Sequence, residues 1–594
     1  MIAEAYNPLE RYRSEFQSTF AENAERFFEE LVTRSGVNEE ENAGLVSKYN
    51  LLCRQAKEAD SRCGAFAFGI GVDILLMLGS AAVAIIGCFQ KQLDVAMDEN
   101  VRMLCILIGF PLALLCLMLF LKWLKPGYSK AKSLRDKLKK DAEAVKQEAL
   151  EQMAPLNALY TWDIPARLFE QTVPNVKFDR FSNEARIQQF ADEFGWDGDL
   201  GIDTSVLFAQ SGELADNPFA FVHFLKMVWG EKTYTGRLTI HWTTWERDSD
   251  GKRRQVHHSE TLTASVTKPA PEYHESSAFV YGNEAAPNLS FTRKCTGLGQ
   301  ADGFFGSMRK RQERKKLEKF SRNLEDESQY TMMANKEFET LFNTMDRDNE
   351  VEFRLLFTPM AQKQMVELLK ENKFGYGDDF QFSKDHKINI LHSYHLSNTD
   401  LDTRPSRFAN FDLRDARRVF LEWNQEYFRS LYFSMAPVLA IPLYMQTLPQ
   451  SKLDIYPELS LRRANFWEFE AMANYLGRDR FKHPQSVTQQ ILKAHCTGRS
   501  EGGTASVDVT AYGYRTVEHT DYISKYGGDG QFHDVPVHWL EYLPVERTSQ
   551  LNVKEMPGWS LPEYNAECVR QNIPRADAFR REIIAFFQNN NREE

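Results

Sequence analysis

The sequence has little cysteine, no surplus of basic charge and none of the short motifs that announce common chemistries. Its eight cysteines, Cys53, Cys63, Cys88, Cys105, Cys116, Cys295, Cys496 and Cys568, include no C-x-x-C pair. That removes the main support for a zinc or thioredoxin-like site. Five of them lie in or beside two apolar stretches and three are scattered, so free thiols in a reducing compartment are expected. A net charge of -11 argues against a nucleic-acid surface. There is no Walker A loop, no G-x-S-x-G elbow, no G-x-G-x-x-G fingerprint and no H-E-x-x-H pair. No catalytic, cofactor-binding or metal-binding residue is therefore assigned. What remains is 594 residues, 43% hydrophobic and 12% aromatic. Such a chain is neither disordered nor collagenous and can bury several cores.

Two long hydrophobic runs dominate the first quarter. Gly64 to Phe89 carries a single charge, Asp73, and Met103 to Lys122 is apolar up to its last residue. About 20 helical residues cross a hydrocarbon core of ~30 Å, so both runs predict transmembrane helices. The first starts too far into the chain, behind a charged segment, for a cleaved signal peptide. Lys48, Arg54, Lys57 and Arg62 precede the first run, and Lys122, Lys125, Lys130, Lys132, Arg135, Lys137, Lys139 and Lys140 end or follow the second. The connecting loop has Lys91 and Arg102 against Asp94, Asp98 and Glu99. The positive-inside rule then places both termini in the cytoplasm and the short loop outside. Asp73 is a candidate for cation or proton handling, or an acid bonded within the hairpin. Pro111 reads as a tolerated kink. The small-residue pairs Ala67 with Gly71 and Ser80 with Ala84 read as packing between the two spans. Self-association of the chain stays open.

The flanking segments read as helices. Residues 1–62 place Phe16, Phe20, Phe27, Phe28 and Leu31 at roughly helical spacing, with a loop near Ser35 to Asn42. Residues 128–153 read as a basic helix leaving the membrane, able to pair with the first as a short stalk. Lys132, Arg135 and Lys139 are candidates for contact with anionic headgroups, the plainer alternative being a solvated face. From about Trp162 the texture becomes strand-like. Phe219 to Gly230, Tyr234 to Trp242 and Val256 to Thr267 predict antiparallel strands, with turns at Asp248 to Gly251 and Lys268 to Pro271. Arg309 to Arg322 holds eight basic and two acidic residues. It makes Arg309, Lys310, Arg311 and Lys315 a second candidate contact with phosphate or lipid headgroups, the more common alternative being a solvated basic helix face. Glu352 to Phe357 predicts a strand. Thr358 and Pro359 then start a helix that buries Met360, Met365, Leu368 and Leu369. Asp412 to Phe433 predicts a helix, Met435 to Met445 a buried segment, and Ala505 to Tyr514 and Val535 to Tyr542 strands around a turn at Tyr526 to Gly530.

Three weaker patterns remain. Asp197 to Asp203 resembles a calcium loop, but its fifth position is Gly201 and its twelfth is Phe208, which predicts a plain turn. His392 and His395 have ligand spacing without further partners, so surface or capping histidines are expected. His495 and Cys496, with His483 nearby in sequence, offer a thiol and a base without evidence that they meet.

Phe338 to Phe342, Glu352 to Met360 and the helix to Leu369, with Phe304 to Gly306 read as an upstream strand, resemble bacterial membrane proteins of the domain-of-unknown-function 3137 family. The resemblance spans about residues 170–395, and two membrane helices ahead of the domain match it as well. It implies no catalytic residues. It implies a neighbour, and a possible partner, among LemA-like membrane proteins.

The expected fold is α+β: an N-terminal helical stalk and a two-helix transmembrane hairpin, then a large cytosolic body of antiparallel sheet and helices. The expected divisions are 1–63 helical, 64–89 first span, 90–102 external loop, 103–124 second span, 125–158 basic helix, 159–400 α+β domain, 401–450 helical connector and 451–594 C-terminal α+β domain. The expected role is a scaffold, sensor or partner-binding protein anchored in the bacterial cytoplasmic membrane by two spans, with no cofactor and no nucleic-acid partner. The alternative is a membrane-tethered enzyme whose site is assembled from distant residues. The body is expected to fold without its anchor from about Leu156 onward.

Overall fold

The structure is a computed structural model describing residues 6–89, 99–247, 253–301, 303–322, 330–445, 462–571 and 575–587. The expected turn at Asp248 to Gly251 and most of the loop between the spans lie outside these residues. The described residues form two compact units. One draws on Met1–Glu25, Thr161–Arg404 and Trp423–Glu594, the other on Arg26–Tyr160 and Pro405–Glu422.

At the N-terminus α1 (Pro8–Arg11) leads through a wider turn at Tyr12–Phe16 into α2 (Gln17–Ser35). Gly36, at φ 66°, ends α2. Asn38 then caps α3 (Glu39–Phe89) by accepting from the amides of Glu40 and Glu41 at 3.0 and 3.3 Å. In the second unit α3 runs 51 residues without interruption, a length of about 76 Å at 1.5 Å per residue. Its partner is α4 (Glu99–Leu119), continued through a π turn at Phe120–Leu124 into α5 (Lys125–Asn157). Both helices are long and apolar enough to cross a membrane. Their charged ends pair as the expected stalk. Ala56, Ala59 and Cys63 of α3 are buried, as are Ala142, Val145 and Ala149 of α5. Arg135 reaches Asp60 at 3.2 Å and Asn42 reaches Gln152 at 3.0 Å. Asn42 also donates to the Phe411 carbonyl at 2.9 Å and accepts from the Leu413 amide at 2.9 Å. In the same unit Phe28 packs against Phe420 in a tilted arrangement with ring centroids 5.3 Å apart.

The body holds two antiparallel sheets. The first contains β1 (Val176–Phe178), β2 (Thr204–Leu214), β3 (Asn217–Arg247), β4 (Arg253–Gly282), β5 (Ser290–Arg293), β6 (Phe380–Asp385) and β7 (Ile388–Ser393), in the order β1-β2-β3-β4-β7-β6-β5. The second contains β8 (Ile491–Arg499), β9 (Ala505–Tyr526), β10 (Phe532–Glu555), β11 (Ala578–Arg580) and β12 (Ile583–Phe587), in the order β11-β12-β10-β9-β8. Ala215 and Asp216, with φ 49° and 60°, make the tight turn between β2 and β3. The helices are α6 (Ile164–Thr172), α7 (Glu184–Phe194), α8 (Gly303–Arg322), α9 (Lys336–Phe342), α10 (Glu350–Leu356), α11 (Pro359–Lys370), α12 (Tyr394–Ser397), α13 (Leu413–Leu439), α14 (Phe466–Leu476) and α15 (Leu561–Gln571). Helix α14 joins the two sheets. Trp467 and Ala471 pack with Val222 and Ala278 of the first, while Phe469 and Met472 pack with Val507 and Val509 of the second.

Four local expectations are corrected. Glu352 to Leu356 falls in helix α10, with Phe357 as its C-cap, because Asn349 accepts from the Glu352 amide at 3.1 Å and starts a helical turn there. Phe304 to Gly306 opens helix α8 rather than a strand. Lys268 to Pro271 lies inside β4, paired in unbroken register with β3 from Lys268↔Lys232 to Pro271↔Trp229. Two prolines fit there because β4 meets β7 only from Phe279 onward, leaving a free edge that needs no N–H. Met360 is exposed on α11, whereas Met365 and Leu369 are fully buried. The Thr358 cap does form, accepting from the Ala361 amide at 3.4 Å. Met435 and Val438 to Ile441 are buried.

Candidate functional site

The spans place their predicted residues as follows. Asp73, Ser80 and Ala84 are buried on one stripe of α3, and Asp73 bonds with the Cys116 thiol of α4. At Gly109 the two helices touch: a Cβ there would sit 2.9 Å from both the Ala84 Cβ and the Ser80 carbonyl. Ser80 and Ala84 thus pack the two spans together, as small residues do at close crossings. Pro111, Lys122, Lys125, Lys132 and Lys139 are exposed. Arg135 is held by Asp60 and, at 2.7 Å, by Asp136. Lys310 is half-buried, and Arg309, Arg311 and Lys315 are exposed along α8.

Among the histidines, His395 has the richest surroundings. Its Nδ1 lies 2.6 Å from Asp379 and its Nε2 lies 3.1 Å from both the Ser434 hydroxyl and the Ser430 carbonyl. Its ring stacks on Tyr376 at 3.8 Å. Asp379, His395 and Ser434 therefore stand in the order of a Ser-His-Asp triad. The hydrogen bonds deny that chemistry. Ser434 donates to the Ser430 carbonyl at 2.9 Å, the same carbonyl that His395 Nε2 faces, and is fully buried on α13. A nucleophile must be reachable and must give its proton to the base. The adjoining space measures only about 20 Å³. His392 is half-buried, with Nδ1 3.2 Å from the Ser277 carbonyl, and burial lowers its pKa. Both histidines are thus structural rather than the expected surface or capping residues.

The remaining patterns are local. Asp197 and Asp199 accept from the amides of Asp199 and Gly201, at 3.0 and 2.9 Å, so these carboxylates shape their own turns. His495 and Cys496 are neighbours on β8, where their side chains alternate between faces. Burial pushes the Cys295 thiol up, which disfavours a thiolate nucleophile. Among the described residues no group of three His, Cys, Asp or Glu is arranged to hold a metal.

The largest construction outside the cores was not foreseen. Strands β3 and β4 pair for 29 consecutive positions, from Phe219↔Tyr281 to Arg247↔Arg253, and β9 and β10 pair for 22. Beyond their sheets the two hairpins stack face to face as one arm. Ile240, Leu262 and Ala264 pack against Val535 and Val537. Lys268 pairs with Asp521 at 2.8 Å and lies 4.1 Å over the Trp539 ring. The Gly528 amide donates to Glu260 at 2.7 Å. Burial along β3 alternates strictly from Thr233 to Trp245, the period of a strand covered on one face only. Outward positions are polar, with threonine pairs at Thr233–Thr267 and Thr239–Thr261, 3.0 and 3.1 Å apart. Large aromatic side chains also remain exposed on the arm: Trp245 at 67%, Tyr526 at 64% and Phe532 at 73%. At its root an open groove of about 470 Å³ is lined by Met227, Tyr273, Ile491, Tyr512, Tyr514 and Pro544.

Buried ion pairs were also missed, that of Glu468 because its partners lie 112 and 113 residues away in the chain. Glu468 receives Arg580 at 2.7 Å and Arg581 at 2.9 Å, all three buried. Arg347 binds Glu339 and Glu350 at 2.9 and 2.6 Å, and Arg293 binds Asp378. Each of these charges has an opposite charge against it, although Nε of Arg293 and Nε of Arg581 find no acceptor within hydrogen-bond distance. No protein-family model, no curated protein and no solved structure matches this chain.

Proposed function

We propose that this protein is a two-span membrane anchor for a cytosolic partner-binding body, acting as a scaffold or sensor, and that the paired-hairpin arm captures a protein partner. The observation that carries this reading is the arm itself. It spends long strands on a thin two-layer blade with exposed Trp245, Tyr526 and Phe532, while the buried charges Glu468, Arg347 and Arg293 elsewhere are each paired with an opposite charge. Exposed aromatics on a rigid support are suited to protein contacts. The bilayer reading is supported by two sufficiently long apolar helices and by the Lys and Arg asymmetry around them. Kinship with the 3137 family, and a LemA-like membrane protein as the partner, belong to the same proposal. Their support is the Phe338 to Phe342 helix followed by the Thr358–Pro359 helix start.

Photo-crosslinking tests the arm. Trp245 or Tyr526, each replaced by a benzophenone amino acid in the full chain, should give discrete adducts in native membranes, and the exposed Val351 should not. Equal adducts at all three positions, or none, would reject the arm as the binding element. Topology is tested with Ala96→Cys in a background lacking native cysteine. An impermeant maleimide should label it in intact cells and should not label a cysteine at either terminus.

A further inference from the structure

We propose that α8 is a second, peripheral membrane contact that docks on anionic phospholipid through inserted phenylalanines and a basic face. The helix divides cleanly by face. Inward, Leu317 is fully buried and Phe320 meets the Tyr330 ring at 5.4 Å. Both acidic residues are tied down: Glu313 accepts from Asn343 at 3.3 Å and Lys316 at 2.9 Å, and Glu318 accepts from Lys336 at 3.2 Å. Outward, at 100° per residue, Phe304, Phe305 and Met308 share an arc of about 120° with Arg311, Lys315 and Lys319. Phe304 is 78% exposed and Phe305 77%, far beyond what a soluble surface asks of such side chains. No acid lies on that outer arc.

The order along the helix matters as well. The apolar residues occupy the first turns and the cations follow. Gly306 fixes this start, because a Cβ there would overlap the Ala301 carbonyl, so the chain turns tightly beneath the phenylalanines. Aromatic rings below the phosphates and cations level with them is the arrangement that holds interfacial helices. An anionic bilayer complements both halves of the face. The proposal is independent of what the arm binds.

The test uses the full chain reconstituted in vesicles, with a nitroxide attached through Phe305→Cys in a background lacking native cysteine. In vesicles containing phosphatidylglycerol the label should become accessible to oxygen and shielded from an aqueous nickel complex. In phosphatidylcholine alone, or at high salt, it should return to water. Combining Arg311→Gln, Lys315→Gln and Lys319→Gln should lower the docked-to-undocked ratio about 100-fold, since ~1 kcal/mol per basic residue is about fivefold each. A label at Val351→Cys should stay in water throughout and reports that the fold is intact. The proposal is overturned if the Phe305 label stays in water in anionic vesicles. It is equally overturned if that label is shielded already in detergent or in phosphatidylcholine, which would mean that protein covers it.

Discussion

Gly236 of β3 and Pro536 of β10 meet backbone to backbone: a Cβ on Gly236 would overlap the Pro536 carbonyl oxygen. No other residue type fits, so the two hairpins approach as closely as they do because position 236 is glycine. Gly236→Val should force them apart and expose Ile240 and Val537. Overpacking of this kind costs about 1–3 kcal/mol. Hydrogen exchange over residues 519–541 should speed up markedly in the variant, with exchange in β6 and β7 unchanged.

Glu470 is fully buried on α14, accepting from the Val206 amide at 2.9 Å with the Lys493 ammonium at 3.1 Å. Burial raises its pKa from 4.5 to about 7. Between those values the folded chain keeps a proton that the unfolded chain has released. Stability therefore falls as pH rises from about 4.5 to 7, by about 3 kcal/mol for this one group, and is flat above. Glu470→Gln should remove that slope and melt higher than the parent at pH 8. A parallel pH profile of Tm for both proteins would refute the assignment.

Lys384 works in the opposite direction. Its ammonium is buried on β6 and donates to the carbonyls of Ala285, at 3.0 Å, and His386. Burial lowers its pKa from 10.5 to about 7. Across that window the folded chain has shed a proton that the unfolded chain retains, so stability rises with pH. Lys384→Met should flatten the alkaline limb of the Tm profile and leave the acidic limb as it was.

Phe20 stacks on Phe428 at 4.2 Å, and Tyr12 lies 5.3 Å from Tyr432. Residues 6–25 thus belong to the body, contrary to the expectation that a chain beginning near Leu156 would suffice. Phe20→Ala should cost about 3–5 kcal/mol. A chain starting at Leu156 should aggregate, and one that fuses residues 6–25 ahead of it should melt cooperatively.

Ser434 should not react with a fluorophosphonate, since its hydroxyl is buried and donates to the Ser430 carbonyl. Mass spectrometry of the probe-treated protein settles this. Labelling at Ser434 would favour the alternative of a membrane-tethered enzyme.

Long-range periodic signals were legible and local boundaries were not. The two apolar runs, the basic flanks, the Thr358 cap and the strand texture from Phe219 onward all follow from composition or spacing that a single segment carries. Glu352 to Phe357 misled because six apolar and charged residues suit helix or strand equally, and Asn349 decided it from outside that window. Lys268 to Pro271 misled because proline stops a strand only where its N–H is needed, and β4 has a free edge there. The arm stayed hidden because its stacking pairs Ile240 with Val535 and Val537, nearly 300 residues on. The insertion of Tyr12 beside Tyr432 was hidden for the same reason.

Helix α3 contains no break between its charged and apolar halves. It is mechanically a lever. About 25 residues precede Gly64, or about 38 Å of rigid rod. A tilt of about 10° in the apolar half swings the far end by about 7 Å. That is roughly the width of a side chain's whole contact zone, so any tilt imposed on the apolar half is carried to Asn42 as displacement, with no break in the helix to absorb it.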